Sequence, residues 1–435
     1  MSGTAPEGLP EGAPLRQATF GEVFAVREFR PLFGTFLLSA AGDELARVAL
    51  TVLVYNRTSS PLLAALTFAI GHLPWLIGGP LLSTLADRLP RHRVLIATDA
   101  ARAALVAVMA VPGMPLPVLL ALLFVVGLCA PPFESARSAL MADVLDGDRY
   151  AVATSLTGIT LQLAQVGGFL AGGALVAVLN PSAALLVDSA TFVVSAVWLW
   201  ARLERRPAPA GEGGQPGSLW RDTTAGLRFI RSSPRLLAIV GVLWVTTGFV
   251  YATEGIAAPL VDSLGQGTTA IGVLLAANPL GVTIGGLVIA RLVSPARRER
   301  LVAPLVLVSL APVLVGGLVA ALAGPGAVPF WVLVAMLFVS GLGAAWTIPL
   351  NVAFVQAVPG PFRGRAFGVA ASGLAGVQGL GAVAAGLAAE VLAPGTVVAL
   401  SGCLGMIAVA PALVAYRRTR NQARATVDAE GASGA

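Results

Sequence analysis

Apolar residues in this chain come in long unbroken runs, not in the alternation of a half-buried strand or the narrow stripe of a surface helix. Bounded by charge, Gly or Pro, they predict twelve helices. Six lie near 32–55, 61–85, 94–111, 116–136, 153–178 and 183–203, and six near 236–261, 269–293, 301–323, 327–355, 367–391 and 396–416. Runs of about 18–25 residues are what a helix needs to cross a hydrocarbon layer. Barrel strands would be shorter and alternating. The expected fold is therefore all-α and polytopic, with twelve transmembrane helices in two pseudo-symmetric six-helix bundles.

The two halves repeat one another. Leu123 to Ala130 reads LFVVGLCA and Leu337 to Ala344 reads LFVSGLGA, in the fourth and tenth runs. Arg149 and Gln162 recur as Arg365 and Gln378, and Leu73-Pro74 is echoed by Asn278-Pro279. A common offset through the chain points to six-plus-six parallel repeats, an architecture of secondary transporters with a site between the halves near mid-membrane. The expected organisation is a cytoplasmic N-terminal segment (1–31), a first bundle (32–203), a linker (204–235), a second bundle (236–416) and a disordered tail (417–435). Within the linker, Pro207 to Gly217 is flexible by composition. Leu219 to Arg231 reads as a short helix on the membrane surface or as an irregular start to the seventh span.

Composition agrees with the pattern. Of 435 residues, 56% are hydrophobic and only 11% charged, against roughly 25% charged in soluble domains. The net charge of +6 resides entirely in arginine, with no lysine, and the arginines are spread over short loops instead of forming a nucleic-acid-binding patch. Twenty-five of the 28 arginines fall in the termini and in the loops on their side of the predicted spans, with Arg57 alone opposite. The positive-inside rule then predicts a multi-pass inner-membrane protein with both termini cytoplasmic. Residues 1–16 lack the apolar core of a cleavable signal. Cys129 and Cys403 lie far apart in apolar runs and suggest neither a disulfide nor a metal site.

Charge at bilayer depth costs about 2.5–3.5 kcal/mol on insertion scales, so each such residue needs a reason. Asp43, Glu44 and Arg47 sit inside the first run. Asp43 and Arg47, at i,i+4, share a helix face, whereas Glu44 points about 100° away. They form a buried structural pair, or one acid exchanges a proton as the halves rock. Glu254 holds nearly the symmetry-related position in the seventh run and would put an acid from each half on one cavity, suited to coupling or to a cationic substrate. His72 is either a further titratable group or a hydrogen-bonded packing residue. Asp99 with Arg102, and Glu134 with Arg137, are spaced i,i+3 and are expected to pair, Glu134 also being placed to meet arginines of the 88–93 loop. Gln162, Gln165, Asn351 and Gln378 are candidate polar cavity lining. Gly168, Gly172 and Gly173 allow close helix approach.

Ser83 to Val94, STLADRLPRHRV, resembles the loop between helices two and three of the major facilitator superfamily, with Asp87, Arg88, Arg91 and Arg93 as its charged part. Ser83 and Pro90 replace two glycines of that signature, and His92 is inserted among its arginines. The second half carries a reduced counterpart at Gly286, Ala290-Arg291, Arg297 and Arg298. Gly168 to Gly173 resembles a stretch associated with antiporters, with Phe169 in place of its proline. REFRPLF before the first run, Gly42-Asp43, and Val187 to Phe192 resemble the bacterial exporter branch that includes enterobactin and macrolide efflux proteins. The resemblance implies alternating access, with Asp87 a latch that meets the start of helix eleven, near Arg365, in the outward-facing state.

The expected function is export of a small amphipathic molecule (a drug, siderophore or secondary metabolite) by proton antiport. The partners would be that substrate, protons and the lipid bilayer, the chain acting as a monomer. A nutrient or lipid transporter of the same fold, or a membrane sensor that does not translocate, are the alternatives. No nucleotide-binding glycine loop or HExxH pair is present, so an enzyme, a cofactor and a bound metal are not expected.

Overall fold

The computed structural model describes residues 18–75, 89–207, 219–359 and 362–433. Among these there is no strand, and the helices follow the apolar runs. The first half comprises α1 (Phe20–Ala25), α2 (Phe29–Thr58), α3 (Pro61–Ile70), α4 (Arg91–Met109), α5 (Leu116–Val144), α6 (Gly147–Val178) and α7 (Pro181–Arg202). The second comprises α8 (Leu219–Ser232), α9 (Pro234–Gly255), α10 (Ala257–Ser263), α11 (Thr268–Leu292), α12 (Val302–Leu322), α13 (Ala327–Ala357), α14 (Arg363–Ala389) and α15 (Pro394–Ser433). Nine of the described helices are long and apolar enough to cross a membrane; α2, with Asp43, Glu44 and Arg47, and α4, with Asp99 and Arg102, are not among the nine.

Local chemistry sets many of the boundaries. α3, α7 and α9 each begin with proline after a capping side chain. Ser60 Oγ accepts from the Leu63 N–H, Asn180 Oδ1 from Ala183 and Ser233 Oγ from Leu236. Proline at the first position gives up an N–H that has no helical partner anyway. Pro74 and Pro279 occupy repeat-related positions but act differently. Pro74 lacks the N–H that would bond Ile70, and the chain tightens just before it, with Gly71 and His72 bonding three residues back. Pro279 lies inside the unbroken α11, where Thr283 Oγ1 donates to its carbonyl at 2.9 Å. The repeated LFV motifs end in matching irregularities, at Cys129 within α5 and in a 3₁₀ turn, Ala344–Trp346, within α13.

α15 continues past the predicted end of the last span to Ser433. Arg, Gln and Ala dominate the first part of this continuation, and a helix already started bears no nucleation cost.

The core is asymmetric along the long axis. Near the loops at 59–60, 264–267 and 390–393, one cluster joins both halves, including Val48, Leu50, Phe169 and Leu185 with Ile256, Leu260, Leu274 and Leu333. Toward the termini the clusters are separate. Ile230, Leu236, Leu350 and Tyr416 belong to the second half alone, and Leu95, Phe133, Leu140 and Leu199 to the first. Among the described residues, the core of the two halves is thus shared at the end away from the termini and separate at the other.

Glycines make the shared end possible. A Cβ on Gly168 would come 2.7 Å from that of Glu44, and one on Gly172 would lie 3.1 Å from Leu45 Cα, so α6 lies directly on α2. Gly173 faces Gly272 of α11 across the junction between the halves. Two polar contacts close the same end. Tyr55 Oη donates to Asp262 Oδ2 at 3.2 Å, and Glu390 accepts from Ser60 Oγ at 2.5 Å and from the Leu62 N–H at 2.9 Å.

Candidate functional site

Two cavities lie beside this junction. The larger, about 390 Å³, is walled by the first half and includes Asp43, Glu44, Arg47, Arg102, Glu134 and Asp188. The smaller, about 180 Å³, is walled by the second half with Gln162, Gln165 and Phe169 of α6, and includes Tyr251, Glu254, Asn278 and Gln378.

The buried charges pair otherwise than their spacing suggested. Arg47 Nη1 meets Glu44 Oε2 at 2.7 Å, at i,i+3, in place of the expected pairing with Asp43. Both spacings lie on one face of a helix, and packing decides between them. Phe68 of α3 lies under the Arg47 guanidinium, 5.3 Å to the ring centre, and Gln165 donates to Glu44 Oε1 at 3.4 Å. Glu44 thereby links the two cavities, being on the wall of one and bonded to a side chain on the wall of the other. Glu254 and Tyr251, from the other half, stand within electrostatic reach of Arg47. His72 donates through Nδ1 to the Phe68 carbonyl at 3.1 Å, its ring 6.3 Å from that of Tyr251.

Asp99 and Arg102 also take other partners than each other. Ser195 Oγ donates to Asp99 Oδ2, whereas Arg102 Nη1 reaches Ser39 Oγ at 3.5 Å and lies between the rings of Phe133 and Phe192. Helix α7 packs close against α4 and supplies a hydroxyl donor for Asp99, leaving the guanidinium to the aromatic faces. Arg137 pairs with Glu134 at 2.7 Å and stacks on Phe36, 4.1 Å to the ring centre. Glu134 is therefore occupied within its own helix, and Arg91, at the start of α4, binds Asp143 instead. Arg93 is exposed, and Asp87 and Arg88 lie outside the described residues.

Gln162, Gln165 and Gln378 line the smaller cavity, but Asn351 is exposed and lines neither. A single polar residue in an apolar run does not reveal which way it faces. Asp188 is a further wall residue of the larger cavity. It is an acid in the middle of the sixth apolar run, the same signal that marked Asp43, and it is buried beside Gly42 with Thr191 Oγ1 3.4 Å away. Tyr251, Asn278 and Trp346 are further wall residues that periodicity does not separate from packing. Among the described residues no group of acids, histidines and cysteines is arranged to hold a metal ion.

Comparison with known proteins agrees with this architecture. The Major Facilitator Superfamily profile matches residues 32–314. An uncharacterized MFS-type transporter, YfiS of Bacillus subtilis (strain 168), is 24% identical over 384 residues, covering 86% of this chain and 89% of that protein. A POT family transporter crystallised with 5-aminolevulinic acid superposes with a TM-score of 0.72 at 13% identity, over 93% of this chain and 98% of its own. A structure from work on proton dependent oligopeptide transporters gives a TM-score of 0.66 at 16% identity, over 90% and 99%. The family match extends through the whole first half into the second, and the fold is common to the solved transporters, so the chain belongs to the major facilitator superfamily of multi-pass membrane transporters.

Proposed function

We propose that this protein is a proton-coupled exporter of small amphipathic molecules in the cytoplasmic membrane, working by alternating access with both termini in the cytoplasm. The observation that carries this reading is the position of Glu44, paired with Arg47 and bonded to Gln165, with Glu254 of the other half in electrostatic reach of the same guanidinium. When the halves rock, Arg47 exchanges part of its carboxylate surroundings, and a proton compensates the acid left behind. Rocking against Glu254 ties that exchange to the opening of one end and the closing of the other. In this reading the moving bodies are residues 32–203 and 236–416, acting as a monomer. The cavities are then open to the cytoplasm, and apolar walls with a few polar groups suit a permissive amphipathic substrate. Asp87 is assigned as the latch of the opposite state, with the start of α14 as its partner.

The test is substrate-driven proton movement in proteoliposomes with an internal pH dye, screening lipophilic cations, macrolides and siderophores. A compound that raises proton flux, with the response lost in Asp43→Asn and Glu44→Gln proteins that insert normally, supports the reading. Full gradient-driven transport by both variants would remove these acids from the coupling. Substrate flux with no proton movement would remove antiport altogether.

A further inference from the structure

A second set of charges shares Asp43 with that mechanism and otherwise lies outside it, and we propose that it is a proton-holding site formed by Asp43, Asp99 and Asp188 around Arg102. Its role in coupling rests on the antiport reading, but its existence does not.

Three helices bring the groups together. Asp43 comes from α2, Asp99 and Arg102 from α4, and Asp188 from α7. Asp99 is 0% exposed, Asp188 1% and Arg102 4%. Contact between α2 and α7 requires glycine at 42, because a Cβ there would run into the Asp188 carboxylate and lie 2.6 Å from Thr191 Oγ1. Asp188 is thereby held against the backbone turn that carries Asp43.

The guanidinium at the centre is under-used. Arg102 Nη1 has one long contact to Ser39, two aromatic rings cover its faces, and its Nε is buried without a hydrogen-bond partner. Asp99 Oδ1 is likewise buried and unpartnered, although its Oδ2 accepts from Ser195. Three carboxyl groups therefore share one cation that is committed to none of them. Among the described residues their remaining charged or titratable neighbours are Glu44 and Arg47 on α2 and Cys129 and Glu134 on α5; Glu44 and Arg47 are engaged with each other and Glu134 with Arg137.

A surplus of buried carboxylates over cations is resolved by binding a cation or a proton. The carboxyls do not converge as a metal site does. The proton is the ligand that fits, and it has a way in. Asp43, Asp188 and Arg102 line the larger cavity. Gain or loss of the proton changes which carboxyl Arg102 neutralises, and with it the contact between α2 and α7.

Infrared difference spectroscopy of the full chain in lipid nanodiscs, titrated from acidic to alkaline buffer, reads protonated carboxyl groups without any substrate. The expected result is a titrating protonated-carboxyl band that is lost in Asp188→Asn and kept with a displaced midpoint in Asp188→Glu. If Asp188→Asn does not insert, Thr191→Val removes a hydroxyl contact and leaves every charge; it should displace the midpoint, and an unmoved midpoint counts against the site. A band that survives in both Asp188→Asn and Asp99→Asn, or its absence from the unsubstituted protein, overturns the proposal. A titrating band assigned to Asp188 in protein whose proteoliposomes move no protons upholds this site and sinks antiport.

Discussion

Gly173 of α6 and Gly272 of α11 meet backbone to backbone across the junction between the halves: a Cβ on Gly173 would stand 2.9 Å from Gly272 Cα. A Cβ on Gly272 would strike the Phe169 carbonyl. Overpacking of this kind costs about 1–3 kcal/mol when it must be absorbed in place. Here it can be relieved by parting the halves. Gly272→Val is expected to lengthen the distance between spin labels at positions 58 and 266 by several ångströms in electron resonance measurements. An unchanged distance in folded protein would show that α6 and α11 do not form the closure.

Glu390 gives that closure a pH dependence. The Ser60 hydroxyl and the Leu62 N–H hold its carboxyl below the usual glutamate range. With the halves parted it returns to about 4.3. A depressed carboxyl contributes to closure above its unperturbed value, and the contribution is lost as pH falls through the depressed one. The same labels should therefore report parting in strongly acidic buffer and no change between neutral and mildly acidic. Glu390→Gln should part the halves partly at neutral pH and flatten the acid response, and an equal response in both proteins would dismiss the contact.

Removal of one member of a buried pair leaves the other uncompensated, at about 3–5 kcal/mol. Arg47→Gln strands Glu44, whose side chain is 7% exposed, and should lower the thermal midpoint in detergent by many degrees. Adding Glu44→Gln to the same protein should recover a large part of the loss. If the double variant melts no higher than the single, Arg47 stabilises through Phe68 instead.

On the side of the termini, Arg206 binds Glu28 at 2.5 Å, and the Glu204 N–H donates to the same carboxylate at 2.8 Å. Glu28 thus ties the start of the linker to the start of α2. Glu28→Gln should speed tryptic cleavage after Arg205 several-fold with the melting temperature nearly unchanged, since partly exposed pairs contribute little to global stability. Equal cleavage rates would show that the linker is held by something else.

Sequence revealed the helices and the buried charges but not the partnerships. A run of apolar residues is written locally, and an ionised side chain within it is conspicuous, so α2, Glu44, Arg47 and Glu254 were legible. Whether Arg47 turns to Asp43 or to Glu44 depends on Phe68 and Gln165, which lie on other helices. Asp99 and Ser195 are 96 residues apart and meet because α4 and α7 pack together. Asp188 carried the same signal as Asp43 and was read only as part of a resemblance. Asn351 is exposed and outside both cavities, and polarity in a run does not say which face a residue occupies.

The core joins the two halves at one end only, and this sets stability against speed. In the alternating-access reading, a substitution that strengthens the shared core also penalises the conformation in which that end parts, and so slows the cycle. Turnover depends on the difference between two closures, whereas thermal stability depends on the better of them. The most heat-resistant variants of this protein and its fastest ones should therefore be different sequences.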